Sequence, residues 1–400
     1  MDDLDHRSLG PRMGLFHLQE DAPGMPFWHP RGHAVYRVLE DYIRSRMRRL
    51  GYGEVRTPQL MPRSLWEASG HWEKFREAMF AFEASDGRAM ALKPMSCPCH
   101  VQIFNRGVRS WRELPVRFAE FGACHRDEPS GSMHGLMRTR AFEQDDAHVF
   151  CSEDQVAGEV ARFVRLLKSV YADLGFPEPA VALSLRPAVR AGDDALWDRA
   201  EGMLAEAAAA CGLEPEILPG EGAFYGPKLE FSLRDLLGRS WQMGTVQLDF
   251  VLPGKLGASY VMPDGSRREP VMIHHAVFGS LGRLVAVLLE HHGGRLPFWL
   301  SSEQVAVMPI GAGQAAYASE VADAFLDAGL RAVLLEDGSL PRRIVEAGER
   351  AIPAVAVVGG REAASRCVSM RERDGSQSVL PLGDAVSRLA SRDGPSPVAS

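Results

Sequence analysis

The sequence has no run of 18 apolar residues, which excludes a membrane-spanning helix of ordinary length. It has no apolar leader either. Its first ten residues, MDDLDHRSLG, are charged, so a secretory signal is not expected. Cysteine is sparse. The six (Cys97, Cys99, Cys124, Cys151, Cys211 and Cys367) are scattered, which rules out a disulfide framework and fits a reducing cytoplasm in which thiols stay free to bind metal. Lysine is nearly absent. There are five lysines, leaving 40 of the 45 basic residues as arginine, a bias that reads, with the many alanines, as genome composition rather than mechanism. A basic excess is also missing. The formal charge of −7 excludes a broadly basic nucleic-acid surface, so any such contact must be local. What remains is ordinary for a soluble globular chain, and 400 residues predict two or three domains.

Against this background one run stands out, Arg117 to His148: RFAEFGACHRDEPSGSMHGLMRTRAFEQDDAH. It alternates briefly, passes through a loop rich in Gly, Ser, Pro and His, and returns to a strand-like segment. Arg126, Arg138, Arg140, Glu128, Glu143, Asp145, Asp146, His125, His134 and His148 crowd into it. Strand, polar loop and antiparallel strand with arginines facing one pocket suit a polyphosphate with a metal nearby, because guanidinium groups bind phosphate oxygens bidentately.

In chain order, residues 1–32 read as irregular, with Pro23-Gly24 and Pro30-Arg31-Gly32 as turn signals. An amphipathic helix is predicted over 33–50, followed by a short strand ending at Pro58. Residues 64–81 read as mostly helical around SGHW, where His71 fits a core or capping role. In KPMSCPCH (93–100), Cys97 and Cys99 are too close for a zinc-ribbon chelate. They read as buried thiols, or one of them as a ligand completed by distant histidines. Helices are predicted at Glu153–Leu174 and Trp197–Cys211. GEGAFYGPKLEF (220–231) and WQMGTVQLDF (241–250) each end in a strand. VMIHH (271–275) is another strand, and FGSLGR (278–283) enters a helix through glycine, a geometry able to bind phosphate. A boundary is predicted at 295–302. Beyond it the pattern is βαβ: strand 305–310, helix 315–328, strand 331–335, helix 340–351 and strand 353–358. This predicts a small α/β domain with a largely parallel sheet. From 301 to 400 there are 10 basic and 13 acidic residues. The last ten, SRDGPSPVAS, read as a disordered tail.

These stretches together resemble the class II aminoacyl-tRNA synthetases, and among them the threonyl-tRNA synthetases. The helix and strand ending at Pro58 resemble motif 1, FGACHRDE with AFEQDDAH motif 2, and FGSLGR motif 3. SGHW, KPMSCP, GAFYGPK and GTVQLDF resemble the threonine-specific members. The resemblance implies an α+β catalytic domain at residues 1–298, an antiparallel sheet flanked by helices. An α/β anticodon-binding-type domain follows at 299–390 and the tail at 391–400. It implies a cytoplasmic ligase that activates threonine with ATP and Mg²⁺ and transfers it to tRNA(Thr), and, through motif 1, a homodimer. Arg126 would hold the α-phosphate and the amino-acid carboxylate, and Glu128 the adenine amino group. Phe142 and Arg283 would sandwich the adenine, and Arg138 and Arg283 hold the γ-phosphate. Lys228, Gln242 and Ser280 would complete the nucleotide site. Threonine would lie against Met95, Gln144, Asp146, Tyr225 and Gln247. Zn²⁺ would sit on Cys97, His148 and His274, and His71 would assist proton movement in the transfer step. Glu362 and Arg371 match anticodon contacts.

The chain also departs from the pattern. It starts where the catalytic domain of these enzymes starts, which implies a compact form without the N-terminal accessory and editing domains, prone to misactivating serine. Ser96, Cys99, Met243 and Gly282 replace the usual residues at the edge of the pocket, and Asp337 and Val345 replace expected anticodon contacts. Two alternatives follow from these departures. One is a threonine-activating paralogue serving a carrier protein or acting as an inhibitor-resistant second copy. The other is a non-catalytic regulatory module, against which the intact Arg126, Arg283, Cys97, His148 and His274 argue.

Overall fold

The computed structural model describes residues 2–235 and 238–395. Among them, no helix is long and apolar enough to cross a membrane. The chain forms two compact units. One comprises Leu18–Pro26 and Glu40–Ala286, the other Met1–His17, Phe27–Leu39 and Val287–Ser400. The units are drawn differently from the division at 298/299, because N-terminal segments pack with the chain after residue 287. His6 Nδ1 and the Glu290 carboxylate, both buried, lie 2.7 Å apart.

The larger unit is built on an eight-stranded sheet. Its strands are β1 (Gly53–Glu54), β2 (Val116–His125), β3 (Ala141–Cys151), β4 (Ala180–Ser184), β5 (Glu216–Leu218), β6 (Lys228–Arg234), β7 (Ser240–Asp249) and β8 (Val271–Ala276). The order is β5-β4-β6-β7-β8-β3-β2-β1. The neighbours from β4 to β2 are antiparallel, while β5 and β1 pair in parallel at the edges. The antiparallel core meets the expectation.

Alternation along a strand gives the sheet two unlike faces. One face is covered by the helix Val156–Asp173. Phe163 meets His275 and Phe231, with ring centroids 4.8 and 5.9 Å away, and Tyr171 donates to the Val277 carbonyl at 2.9 Å. The helix comes so close that a Cβ on Gly244 would sit 2.3 Å from Leu167 Cδ1. The register places the polar residues on the other face. His148 lies opposite Phe118 and His274, His274 opposite Gln247, and Gln247 opposite Lys228. One step of two residues away, Asp146 lies opposite Glu120.

The stretch expected to be irregular, residues 1–32, holds helix in its parts that belong to the second unit. His6–Arg12 is a helix and a longer one starts at Pro30. The start at Pro30 lay under a turn signal, proline being pre-organised for a first helical turn, while the start at Asp5, which accepts from Arg7 N as an N-cap, carried none. The C-terminal sheet contains β9 (Val305–Pro309), β10 (Ala332–Leu334), β11 (Ala354–Val358), β12 (Cys367–Glu372) and β13 (Gln377–Pro381), in the order β10-β9-β11-β12-β13. The first three are parallel, as predicted. The last two are an antiparallel addition that was not predicted, joined through Asp374-Gly375 with Gly375 at φ +88°, a pair that favours hairpins. Of the predicted tail, 396–400 lie outside the described residues. Within 391–395, Asp393 accepts from the Gln304 side chain at 2.6 Å.

Candidate active site

The polar face of the large sheet carries a buried cluster next to a cavity. Cys97 starts a short helix, Cys97–Phe104, that Pro98 helps to initiate. Its sulfur meets His148 and His274, on adjacent strands, so that the three ligand atoms lie within 4.8 Å of one another. His274 Nε2 and Asp249 Oδ2 are 2.9 Å apart. Asp249 is an acceptor, so Nε2 carries the proton and Nδ1 presents a lone pair. His148 Nε2 faces that lone pair at 3.0 Å. Burial holds His148 neutral, lowering its proton affinity, and pushes the Cys97 thiol up. Cys99 is not part of the cluster. A thiol and two imidazoles with nitrogens converging on one point are a donor set suited to zinc, with room for further ligands from a substrate.

Around this cluster stand residues of the predicted amino-acid site. Tyr225 stacks on His274, centroids 4.9 Å apart, and donates to Gln247 Oε1 at 2.7 Å. Asp146 accepts from Ser96 N at 3.3 Å and lies 3.7 Å from His148 Nε2. His71 is buried between Ser69 Oγ at 2.8 Å and Met95 Sδ at 2.9 Å, with Cys97 Sγ at 3.8 Å. Burial lowers the His71 pKa to about 3. Its imidazole is therefore neutral, with one nitrogen carrying a lone pair.

The adjoining cavity, about 630 Å³, is lined by Met95, Arg126, Glu128, Arg138, Phe142, Gln144, Tyr225, Lys228, Gln242, Gln247, Ser280 and Arg283. Every residue predicted for ATP or threonine is there except Asp146, which sits deeper. Three arginines converge, and burial together with Arg126 and Arg138 lowers Arg283 to about 10. Such a cluster favours an anion. Arg283 is held by two carbonyls, Met137 O at 2.8 Å and Gln242 O at 2.7 Å. The turn that aims it passes through Gly279 at φ +76°, where a Cβ would meet Met243 O at 2.5 Å. Arg126 donates to Pro94 O and lies 5.0 Å over the Phe142 ring. Glu128 and Arg138, given separate partners by the resemblance, pair with each other at 2.8 Å. Lys228 pairs with Glu230. Arg140, first read as facing the pocket, instead bonds the Glu128 carbonyl and pairs with Asp127.

Several site residues were missed by sequence reasoning. Asp249 stands two residues beyond Gln247 and therefore on the same face. Glu120 bears the same relation to Phe118, the residue opposite His148. Period-two counting from Gln247 would have found Asp249, whereas Glu120 needs the strand register as well. Behind His148, His148 Nδ1 meets His100 Nδ1 at 2.8 Å, and His100 Nε2 meets Glu120 Oε2 at 3.1 Å. Burial opposes charge on Glu120, yet His100, the Thr57 N–H and Lys93 outweigh it and hold its pKa near 2. In the other unit, the Glu362 carboxylate accepts from Gly359 N at 3.0 Å and Arg371 is exposed on β12.

Comparison with known proteins agrees with this geometry. Residues 80–292 match the tRNA synthetase class II core domain (G, H, P, S and T), and residues 304–392 match the anticodon binding domain. The threonine–tRNA ligase of Cupriavidus pinatubonensis is 54% identical over 387 residues, spanning 96% of this chain and 61% of that protein. The chain thus spans about three fifths of the length of the curated relatives it matches. Among solved structures, the RNA binding domain of threonyl-tRNA synthetase from Cryptosporidium parvum superposes with a TM-score of 0.94 at 38% identity, covering 98% of this chain and 99% of that one. A putative threonyl-tRNA synthetase from Aeropyrum pernix gives 0.82 at 30% identity, covering 97% and 94%.

Proposed function

Because the chain belongs to the threonyl-tRNA synthetase family of class II synthetases, we propose that it activates L-threonine with ATP and transfers it to the 3′ end of tRNA(Thr). The observation that carries this reading is a thiol–imidazole–imidazole cluster beside a cavity where three arginines converge. In the first step, a threonine carboxylate oxygen attacks the α-phosphorus, the bond to the bridging oxygen breaks, and pyrophosphate leaves with threonyl-adenylate retained. Arg126 neutralises the carboxylate and α-phosphate. Arg138 and Arg283 take the γ-phosphate, with Mg²⁺ accompanying the nucleotide. Phe142 and Arg283 cover the adenine, and Glu128 reads its amino group. Glu128 and Arg138 must part for this, which costs little because half of the Arg138 side chain is exposed. Lys228, Gln242 and Ser280 complete the nucleotide site. Positioning and charge neutralisation supply the catalysis.

Zinc on Cys97, His148 and His274, when bound, offers coordination positions to the amine and the β-hydroxyl of threonine. Asp146 accepts from that hydroxyl, Tyr225 and Gln247 face the amine, and Gln144 and Met95 flank the carboxylate. His71 stays neutral beside the cluster. We place the catalytic domain at 1–298 and the anticodon-binding domain at 299–390, with Glu362 and Arg371 as its RNA contacts. We also propose a homodimer formed through the segment resembling motif 1, acting in the cytoplasm. The decisive experiment is transfer of labelled threonine to tRNA(Thr) by the zinc-loaded chain. Charged tRNA is the expected product. Threonine-dependent pyrophosphate exchange with no charged tRNA would reject the transfer step, and no exchange would reject the activation step.

A further inference from the structure

Glu120 and His100 form a buried line that ends on His148, and neither has a part in the reaction described above. Both are among the most buried polar residues of the large unit, with exposures of 4% and 0%. The line has a direction. Glu120 Oε1 accepts from Thr57 N at 2.6 Å and from Lys93 Nζ at 3.1 Å, while Oε2 accepts from Thr57 Oγ1 at 2.9 Å and from His100 Nε2 at 3.1 Å. A carboxylate has no proton to give, so His100 carries its proton on Nε2 and a lone pair on Nδ1. That lone pair faces His148 Nδ1 at 2.8 Å, and two lone pairs cannot share such a contact. With a metal ion on the other side, where the Nε2 lone pair and the His274 Nδ1 lone pair 3.0 Å away would both face it, His148 therefore carries its proton on Nδ1, toward His100.

We infer that Glu120 is a positioning residue that sets the tautomer of His148 through His100, and thereby makes His148 a metal ligand. The inference rests on the reading of Cys97, His148 and His274 as zinc ligands. It is distinct from burial or packing, because it depends on which end of the Glu120 side chain is an acceptor. Glu120→Gln reverses the line without changing its shape. Thr57 N and Lys93 require the amide oxygen at the Oε1 position, so the amide nitrogen faces His100 and donates to Nε2. His100 then donates from Nδ1 to His148 Nδ1, and the proton of His148 moves to Nε2, where it blocks coordination.

The test is zinc affinity, measured by competition with a chromophoric chelator on the unmodified chain and on Glu120→Gln, together with the Co²⁺ absorption spectrum and urea unfolding of the metal-free forms. The expected result is at least a ten-fold loss of affinity in Glu120→Gln, the scale found when outer partners of metal-binding histidines are lost. His100→Gln provides the rescue control. Its amide oxygen can accept from His148 Nδ1 while its nitrogen donates to Glu120, so its zinc affinity should stay close to that of the unmodified chain. Unchanged affinity in a folded Glu120→Gln overturns the inference. Should that variant fail to fold, a loss in His100→Gln as large as in His100→Leu overturns it instead. Failure of the unmodified chain to bind zinc or Co²⁺ would overturn the ligand assignment itself, which separates the two outcomes.

Discussion

Replacing Asp249 with asparagine should damage the metal site more than its small size suggests. Asp249 Oδ1 accepts from Val251 N at 2.7 Å and Leu252 N at 2.9 Å, while Oδ2 accepts from His274 Nε2 at 2.9 Å. In Asp249→Asn the two backbone donors hold the amide oxygen in place, and the amide nitrogen faces His274 as a second donor. Imidazole answers by moving its proton to Nδ1, the atom that faces His148 and Cys97. Metal binding must then either turn the amide, leaving buried N–H groups unpaired, or force two donors together. One unmade buried hydrogen bond costs about 1–3 kcal/mol, which is roughly ten- to hundred-fold in affinity. Chelator competition would measure it. Asp249→Ala is the informative contrast, since it removes the acceptor without supplying a donor. It should lose more folding stability, having left Val251 and Leu252 uncapped, yet bind zinc at least as well as the asparagine variant. Asp249→Asn with the zinc affinity of the unmodified chain would refute the reasoning.

Other consequences follow from the same geometry. Gly279→Ala should lower the urea midpoint and raise KM for ATP together, because φ of +76° disfavours any side chain and the new Cβ would lie 2.5 Å from Met243 O; a combined cost of about 2 kcal/mol or more is expected. His275 is buried, its Nδ1 lacks a partner, and burial lowers its pKa from 6.5 to about 3. The folded state thus binds fewer protons than the unfolded state between these values. Its contribution is complete above pH 6.5 and is lost as pH falls toward 3, by up to about 1.4 kcal/mol per unit. His275→Gln should therefore flatten the dependence of stability on pH between 6.5 and 5, by about 2 kcal/mol in urea titrations. Serine differs from threonine by one methyl group and keeps the amine and hydroxyl, so its kcat/KM in pyrophosphate exchange should fall only about 10- to 200-fold below that of threonine.

The sequence exposed the site more fully than it exposed the fold around it. Cys97, His148 and His274 are far apart in the chain, and no spacing rule joins them; the resemblance did so, and the strand register shows how two of them become neighbours. Arg126 and Arg138 read as candidate phosphate binders from residue chemistry, and Arg283 from the glycine-rich entry to its helix; the structure brings the three to one cavity. What stayed hidden was long-range pairing. Glu120, His100 and Asp249 act through partners 20 to 48 residues away, and their role is to orient other side chains. Nothing local marks them except period-two alternation once the register is known. The early helix His6–Arg12 was hidden for a different reason. A seven-residue helix containing both glycine and proline has little propensity of its own and depends on the burial of Leu9 and His6.

The claim at the centre of this account is that the buried cluster reads the substrate hydroxyl. Its most direct test is amino-acid-dependent ATP–pyrophosphate exchange by the zinc-loaded chain, with threonine and valine compared side by side. Valine matches threonine in shape but lacks the hydroxyl, and a site built to bind an OH should reject it by about 10⁴-fold. Exchange with threonine and essentially none with valine is the predicted result. Exchange with valine within a hundred-fold of threonine, at full zinc occupancy, would contradict it.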